Sequence, residues 1–428
     1  MPALTYPHAS ATLTDASPIA CRISAGKFGR STREKMHKAA KAAAATIGYQ
    51  GVGTVEFLYD EETARFFFLE MNTRLQVEHP VTEMVFHTDL VELQLRTAEG
   101  GRADGLRFPD KPDGFAIEAR LYAEDPAADY QPQSGLLTRF EIPPEAGVRV
   151  DSGFESGSEV STHYDAMLAK VIAHGRTRDE AARKLAAALS RARIHGVVTN
   201  RDLLVSILRD RGFLAGKVST AFLEGDGVSR LVAGAPRTST TVSAVAAAIA
   251  LAEQAGAART VQGRIPVAWR NVVSQPQRTE FEGEIVVEWF GTRDGYVVDG
   301  HTVVEASATR VVLETDGLRT AYDVATAGAA VDVDSAQGHV RLTRVPRFVD
   351  PADAVASGSL LAPMPGTVVK VLVERGAEVA AGDAVLVLEA MKMQHTVSAP
   401  HAGTVTEIDV QSGVQVAAGE VLAVVEEA

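Results

Sequence analysis

A chain of 428 residues is too long for one ordinary core, and its 46% apolar and 23% charged residues fit a soluble globular protein of several domains. A formal net charge of −13 excludes nucleic acid as a partner, because phosphate binding needs a surplus of Lys and Arg. The single cysteine, Cys21, excludes an internal disulfide; with no apolar run of membrane length and no signal-peptide pattern, a cytoplasmic protein with no membrane partner is expected.

Residues 1–30 are rich in Ser, Thr, Ala and Pro and show no period, so they are expected to be unstructured or misframed. Ser31-Thr32-Arg33-Glu34 is a capping box that opens an Ala-rich helix, closed by Gly48. A strand pair is predicted at about 52–59 and 65–78. Along FFFLEMNTRLQVE, Glu70, Asn72, Arg74, Gln76 and Glu78 recur at period two, which predicts that one face of the second strand carries all five. A turn near 62–64 sets Glu56 opposite Glu70, where two carboxylates repel unless a cation lies between them. A solvated polar face is the plainer alternative. The absence of Lys and the Asn among the carboxylates favour hard-oxygen chemistry of the kind that holds Mg²⁺ against phosphates. Mixed helix and strand continue to about 220, with a second capping box at Thr177-Arg178-Asp179-Glu180 starting a helix expected to end at Gly196.

Residues 236–256 contain one helical candidate. Short β-branched runs follow over about 266–346, separated by turn signals such as Asp294-Gly295 and Asp316-Gly317, and predict a small antiparallel barrel or sheet. Residues 347–359 have the composition of a linker. Beyond it the sequence repeats: Ala362-Pro363 and Gly366-Thr367-Val368 recur as Ala399-Pro400 and Gly403-Thr404-Val405, while Gly376, Val379 and Gly382 recur as Gly413, Val416 and Gly419. A constant offset between two sets of Val-rich strands predicts a flattened barrel with approximate two-fold symmetry. Glu389-Ala390-Met391-Lys392-Met393 falls between the halves, where Lys392 is expected on an exposed tight turn. A plain surface lysine is the alternative, but exposed methionines on both sides of it have no packing explanation.

This last segment, about 357–428, resembles biotinyl domains, which implies that biotin is attached to Lys392 by a biotin protein ligase. EMNTRLQVEHPVTE, from Glu70 to Glu83, resembles the catalytic strand of ATP-grasp biotin carboxylases, and the likeness extends through EARLYAEDP (118–126), Tyr164-Asp165-Ala166-Met167 and residues 196–200. It implies that Glu56, Glu70 and Asn72 hold Mg²⁺ (or Mn²⁺) with ATP, and that Arg74, Gln76, Val77 and Glu78 bind bicarbonate. Glu78 would be the catalytic base, Arg74 would stabilise the anionic transition state, and Arg120 would contact biotin. The segment 236–350, with Ile265-Pro266-Val267-Ala268-Trp269-Arg270-Asn271, resembles the linking domain of propionyl-CoA and methylcrotonyl-CoA carboxylase alpha subunits, which docks on a carboxyltransferase beta subunit; Trp269 read alone is as well explained as a core residue.

The resemblance implies a multidomain α+β chain. Residues 31–110 would be the remnant of an ATP-grasp domain, 111–220 the carboxylase C-terminal domain, 236–350 a small antiparallel β linking domain, and 357–428 a β-barrel biotinyl carrier. The match starts abruptly near Thr32, with no Gly-rich loop before Glu56, as expected of a chain shortened by a frameshift or misplaced start. The implied function is that of an acyl-CoA carboxylase alpha subunit, acetyl-CoA type included, carrying carboxybiotin on Lys392 between an ATP- and bicarbonate-using site and a carboxyltransferase. The alternative is a catalytically incomplete carrier and scaffold that binds the beta subunit without charging itself.

Overall fold

A computed structural model of the chain describes residues 30–60, 62–101, 112–128, 130–161, 163–218, 220–223, 226–233, 239–348, 358–390, 393–417 and 419–427. The expectation for residues 1–29 and most of the 347–359 linker therefore lies outside the described residues.

Helix α1 (Arg30–Thr46) starts one residue ahead of Ser31, which thus lies inside the helix rather than capping it. Gly48, at φ +62°, turns the chain out of it as expected. Strands β1 (Thr54–Asp60) and β2 (Arg65–Asn72) form the hairpin, with Glu56 opposite Glu70. A bulge after Glu56 then moves the register by one, so that Asp60 faces Arg65. The second strand stops at Asn72, not Glu78, because Thr54 is the last residue of β1 able to pair with it. Residues 73–78 leave the sheet as a loop and lead into α2 (His79–Phe86), whose first turn holds Pro80. Helix α3 (Leu90–Ala98) follows, capped by Asp89.

The largest core lies in the next unit. Strand β3 (Phe115–Tyr122) pairs with β10 (Met167–Gly175), which pairs in turn with β8 (Val148–Ser152). The short strands β4 (Glu124–Asp125) and β5 (Gln131–Pro132), β6 (Gly135–Leu136) and β9 (Glu159–Val160), and β7 (Arg139–Glu141) and β11 (Arg193–His195) close three small ladders around it. Helices α4 (Arg178–Ser190) and α5 (Arg201–Arg209) bury Leu185, Leu189, Leu204 and Ile207 against Leu121, Leu168 and Val171; α6 (Arg211–Leu214) and α7 (Asp226–Ala233) complete that side. Thr177 caps α4, accepting a hydrogen bond from the Glu180 amide at 3.2 Å. Thr177→Ala is expected to lower stability by about 1 kcal/mol, read from a urea unfolding curve. The helix ends at Ser190 rather than Gly196: Gly196 instead follows β11 at φ +109°, where a Cβ would collide with the Leu136 carbonyl.

Helix α8 (Thr240–Ala257) is the predicted helical candidate, and every residue from Ser243 to Ala250 is buried. Around it curves an eight-stranded antiparallel sheet in simple sequence order: β12 (Gln277–Phe281), β13 (Ile285–Thr292), β14 (Gly295–Val298), β15 (His301–Ala306), β16 (Arg310–Thr315), β17 (Leu318–Ala327), β18 (Ala330–Ser335) and β19 (Gly338–Thr343). Alanines along the helix let the sheet approach closely, and Val287, Leu313, Val331 and Val333 fill the space between. The core tryptophan is Trp289, 6% exposed; Trp269, read as a core residue on its own, is 41% exposed.

The repeat folds as two four-stranded sheets. One has the order β20 (Ser359–Leu361), β27 (Val421–Glu427), β25 (Gly403–Ile408), β22 (Glu378–Val379); the other has β24 (Met393–Ser398), β23 (Ala384–Ala390), β21 (Gly366–Val371), β26 (Gln415–Val416). The sequence offset carries β21 onto β25, β22 onto β26 and β23 onto β27, so each sheet is the symmetry copy of the other. Val385, Val405 and Val425 fill one core cluster, and Val368, Leu386 and Leu388 fill the other. Among the described residues no helix is long and apolar enough to cross a membrane.

Candidate functional site

Three features built by these elements bear chemistry. In the repeat domain, β23 ends at Ala390, β24 begins at Met393, and these two residues face each other as the last pair of the hairpin. Met391 and Lys392 lie outside the described residues. The base of the hairpin is tightly backed: a Cβ on Gly366 would stand 2.8 Å from the Glu389 carbonyl oxygen, and its repeat mate Gly403 would meet the Glu426 carbonyl in the same way.

The second feature is the carboxylate set on β1 and β2. Asn72 Nδ2 donates to Glu56 Oε1 and to Glu70 Oε1, both at 3.0 Å, and Gln76 Nε2 donates to Glu56 Oε1 at 3.1 Å. An amide thus sits between the two carboxylates where a cation would otherwise be required. With the Asn72 amide turned the other way, three oxygens converge, which suits Mg²⁺ or Mn²⁺.

The third feature lies where residues 73–78 cross β3 and β10. Arg120 Nη2 meets Glu78 Oε2 at 2.8 Å, and both side chains are about four-fifths buried. Beside them on β10, opposite Arg120, Lys170 donates to the Val77 carbonyl at 3.1 Å and approaches Asp151 at 3.4 Å. Glu118, two residues before Arg120, is fully buried, and neither of its carboxyl oxygens has a hydrogen-bond partner among the described residues. Burial pushes its carboxyl up to about 8, against the pull of the Lys170 and Arg120 charges. Burial also opposes the Asp151 carboxylate, but hydrogen bonds and charge from Arg149, with Lys170, hold it below the ordinary range. Burial lowers His79, whose Nδ1 is 2.8 Å from the Gln76 carbonyl oxygen.

Of the residues marked in the sequence, Glu56, Glu70, Asn72 and Gln76 form one hydrogen-bonded group, while Glu78, Val77 and Arg120 form another with Lys170. Arg74 is exposed and bonded to none of the described residues. The five residues expected on one strand face are instead divided between a strand and a loop. Glu118 and Lys170 escaped the sequence reading. Their signal was a charge set among apolar strand residues: Glu118, two places before Arg120, in FAIEARLY, and Lys170 in MLAKVIAHG.

Residues 118–225 match the family described as biotin carboxylase C-terminal domain, residues 24–105 the carbamoyl-phosphate synthase L chain, ATP binding domain, and residues 358–425 the family described as biotin-requiring enzyme. The chain is 34% identical over 420 residues to the methylcrotonoyl-CoA carboxylase subunit alpha, mitochondrial, of Arabidopsis thaliana, covering 85% of this chain and 57% of that one. It is 44% identical over 192 residues to biotin carboxylase 1 of Bacillus subtilis, covering 45% and 43%. Among solved structures it is similar to a single-chain, multi-domain long-chain acyl-CoA carboxylase, with 28% identity, a TM-score of 0.45, and 95% and 30% of the two chains covered. The chain spans about half the length of the curated relatives it matches.

Proposed function

We propose, from the premise that this chain belongs to the biotin-dependent carboxylase alpha subunits, that it carries an activated carboxyl group on Lys392 from a carboxylase site to a carboxyltransferase beta subunit. The observation that carries this reading is the β23–β24 hairpin: its last pair brackets Met391-Lys392 within a domain that matches biotin-requiring enzymes. Biotin, once attached by a biotin protein ligase, supplies a ring nitrogen that takes up and releases carbon dioxide. ATP and bicarbonate are the substrates of the intact site.

Each residue group has its own task. Glu56, Glu70 and Asn72 hold the divalent ion that screens the ATP phosphates. Gln76, the Val77 backbone and Arg74 orient bicarbonate, the guanidinium by a forked pair of hydrogen bonds. Glu78 takes the bicarbonate proton, and Arg120 fixes that carboxylate in place while remaining within reach of biotin. Lys170 holds the Val77 carbonyl and so sets the position of the loop that carries Gln76 and Glu78. Domain limits follow the same reading: 31–110 and 111–220 for the carboxylase parts, 236–350 for beta-subunit docking and 357–428 for the carrier. The cytoplasm is the proposed compartment, supported by the single cysteine.

The carrier half can be tested without ATP. Biotinylated chain, mixed with the carboxyltransferase subunit and a radiolabelled carboxylated acyl-CoA, is expected to take up label, and Lys392→Arg is expected to take up none. Failure of the wild-type chain to take up label would remove the proposal. ATP hydrolysis dependent on free biotin and bicarbonate separates a self-charging subunit from a carrier and scaffold that must be charged by another chain. For the metal group, Glu70→Gln is expected to weaken Mn²⁺ binding by at least about tenfold, read by the spin resonance of free Mn²⁺.

A further inference from the structure

Strand β11 carries Arg193 and His195 into the seam between the carboxylase C-terminal unit and the eight-stranded sheet. His195 Nε2 lies 2.7 Å from Asp334 Oδ2 on β18. The His339 ring, on β19 directly across from Asp334, stacks on His195 with centroids 5.3 Å apart. One ligand atom from each of His195, Asp334 and His339 lies within 4.8 Å of the others. His195 and Asp334 are 2% and 1% exposed, and His339 is 18% exposed.

We propose that His195, Asp334 and His339 form a binding site for a divalent transition-metal ion of the zinc class, which ties the carboxylase C-terminal unit to the eight-stranded domain. Two imidazoles and one carboxylate are a donor set that such ions take, with water in the remaining position. Three further observations point to a ligand. Asp334 Oδ1 is buried and accepts no hydrogen bond from any described residue, so one carboxylate oxygen in the cluster is unused. His339 Nε2 meets Asp332 Oδ1 at 2.9 Å, the carboxylate contact that orients a metal-binding imidazole and leaves its other nitrogen for the ion. His339 also forms part of the wall of a cavity of about 440 Å³ that includes Asp125, Asp202 and Gln337, giving the ion an entry path and room for water.

On loading, the ion takes the place of the hydrogen bond between His195 Nε2 and Asp334 Oδ2, and the bridging proton passes to His195 Nδ1 or leaves to solvent. His339, held by Asp332 at Nε2, offers Nδ1 to complete the set. The opposing charge is Arg193, whose Nε is 3.6 Å from Asp334 Oδ2; its Nη2 is held by Asp323 at 3.3 Å, which draws that charge aside. Arg310 also binds Asp323, on its half-exposed side. None of the three ligands belongs to the carboxylate or Arg120 groups, so the site is independent of carboxylation.

The test uses the full chain, stripped by chelator and titrated with ZnCl₂ by calorimetry in excess MgCl₂, which fills the oxygen-only group on β1 and β2. Wild type is expected to bind about one equivalent of zinc, and Co²⁺ in its place should give the visible absorption of nitrogen-ligated cobalt. His339→Gln and Asp334→Asn should lose that equivalent, and Asp332→Asn should bind it about 10 to 100-fold more weakly. His339→Gln, partly exposed and uncharged, decides the matter if Asp334→Asn fails to fold. Zinc bound equally by His339→Gln, or not bound by wild type, would overturn the proposal and leave a hydrogen-bonded clamp.

Discussion

Lys392→Arg is expected to abolish biotin incorporation while the repeat domain stays folded. A primary amine can lose its proton and attack an activated acyl group, whereas a guanidinium stays protonated and does not. The substitution keeps the charge and most of the length of the side chain, so any loss reports on the chemistry of the amine. The domain does not need the lysine for its fold, because both core clusters are built from residues such as Leu360, Val385, Leu386 and Val425. With an active biotin protein ligase present, wild type should show the mass of one added biotinyl group and bind streptavidin. The variant should do neither, with an unchanged circular dichroism spectrum. An unmodified wild-type chain under those conditions would sink the functional reading.

Glu118→Gln is expected to make the protein more stable at pH 8 and to change little near pH 4. In the folded chain the Glu118 carboxyl is raised to about 8 from an ordinary 4.5, mainly by burial. An acid raised on folding favours the protonated, folded form: its stabilising share is complete below pH 4.5 and is lost as pH climbs through 8. At 1.36 kcal/mol per unit the loss is about 3 to 5 kcal/mol across that range, and an uncharged amide of the same shape avoids it. Urea unfolding of wild type and variant at several pH values isolates this group, since a depressed acid remote from it, such as Asp334, acts equally in both proteins. Parallel curves for the two proteins would show that Glu118 does not titrate there. The result also bears on the site, because Glu118 lies beneath Arg120 and a neutral carboxyl leaves that guanidinium free to serve Glu78.

What the sequence disclosed was local or repeated. The constant offset between the two halves of the carrier foretold its two-fold correspondence, because like strand patterns bury like faces, but not that each sheet takes strands from both halves. Glu56 opposite Glu70 followed from the position of the turn. The bulge just beyond that pair did not, since it depends on how Phe57 packs between Phe66 and Phe68. Alternation along residues 70–78 gave a strand too long, because period two describes a possible strand and cannot say where its partner stops. Lys170 reaches Val77 across 93 positions and His195 reaches Asp334 across 139. Such pairs exist only once separate units have packed, and no window along the chain contains both members.

Helix α8 has no side that water could wet over eight successive residues. Alone, an alanine-rich segment of that length is marginal in water and would expose its apolar surface to other chains. It gains its place only when strands drawn from 277 to 343 have closed around it, so assembly of this region is an all-or-none event and not a stepwise addition of hairpins. A cut within α8 or within one of the eight strands would therefore forfeit the unit, and with it Asp334 and His339 in the seam against β11.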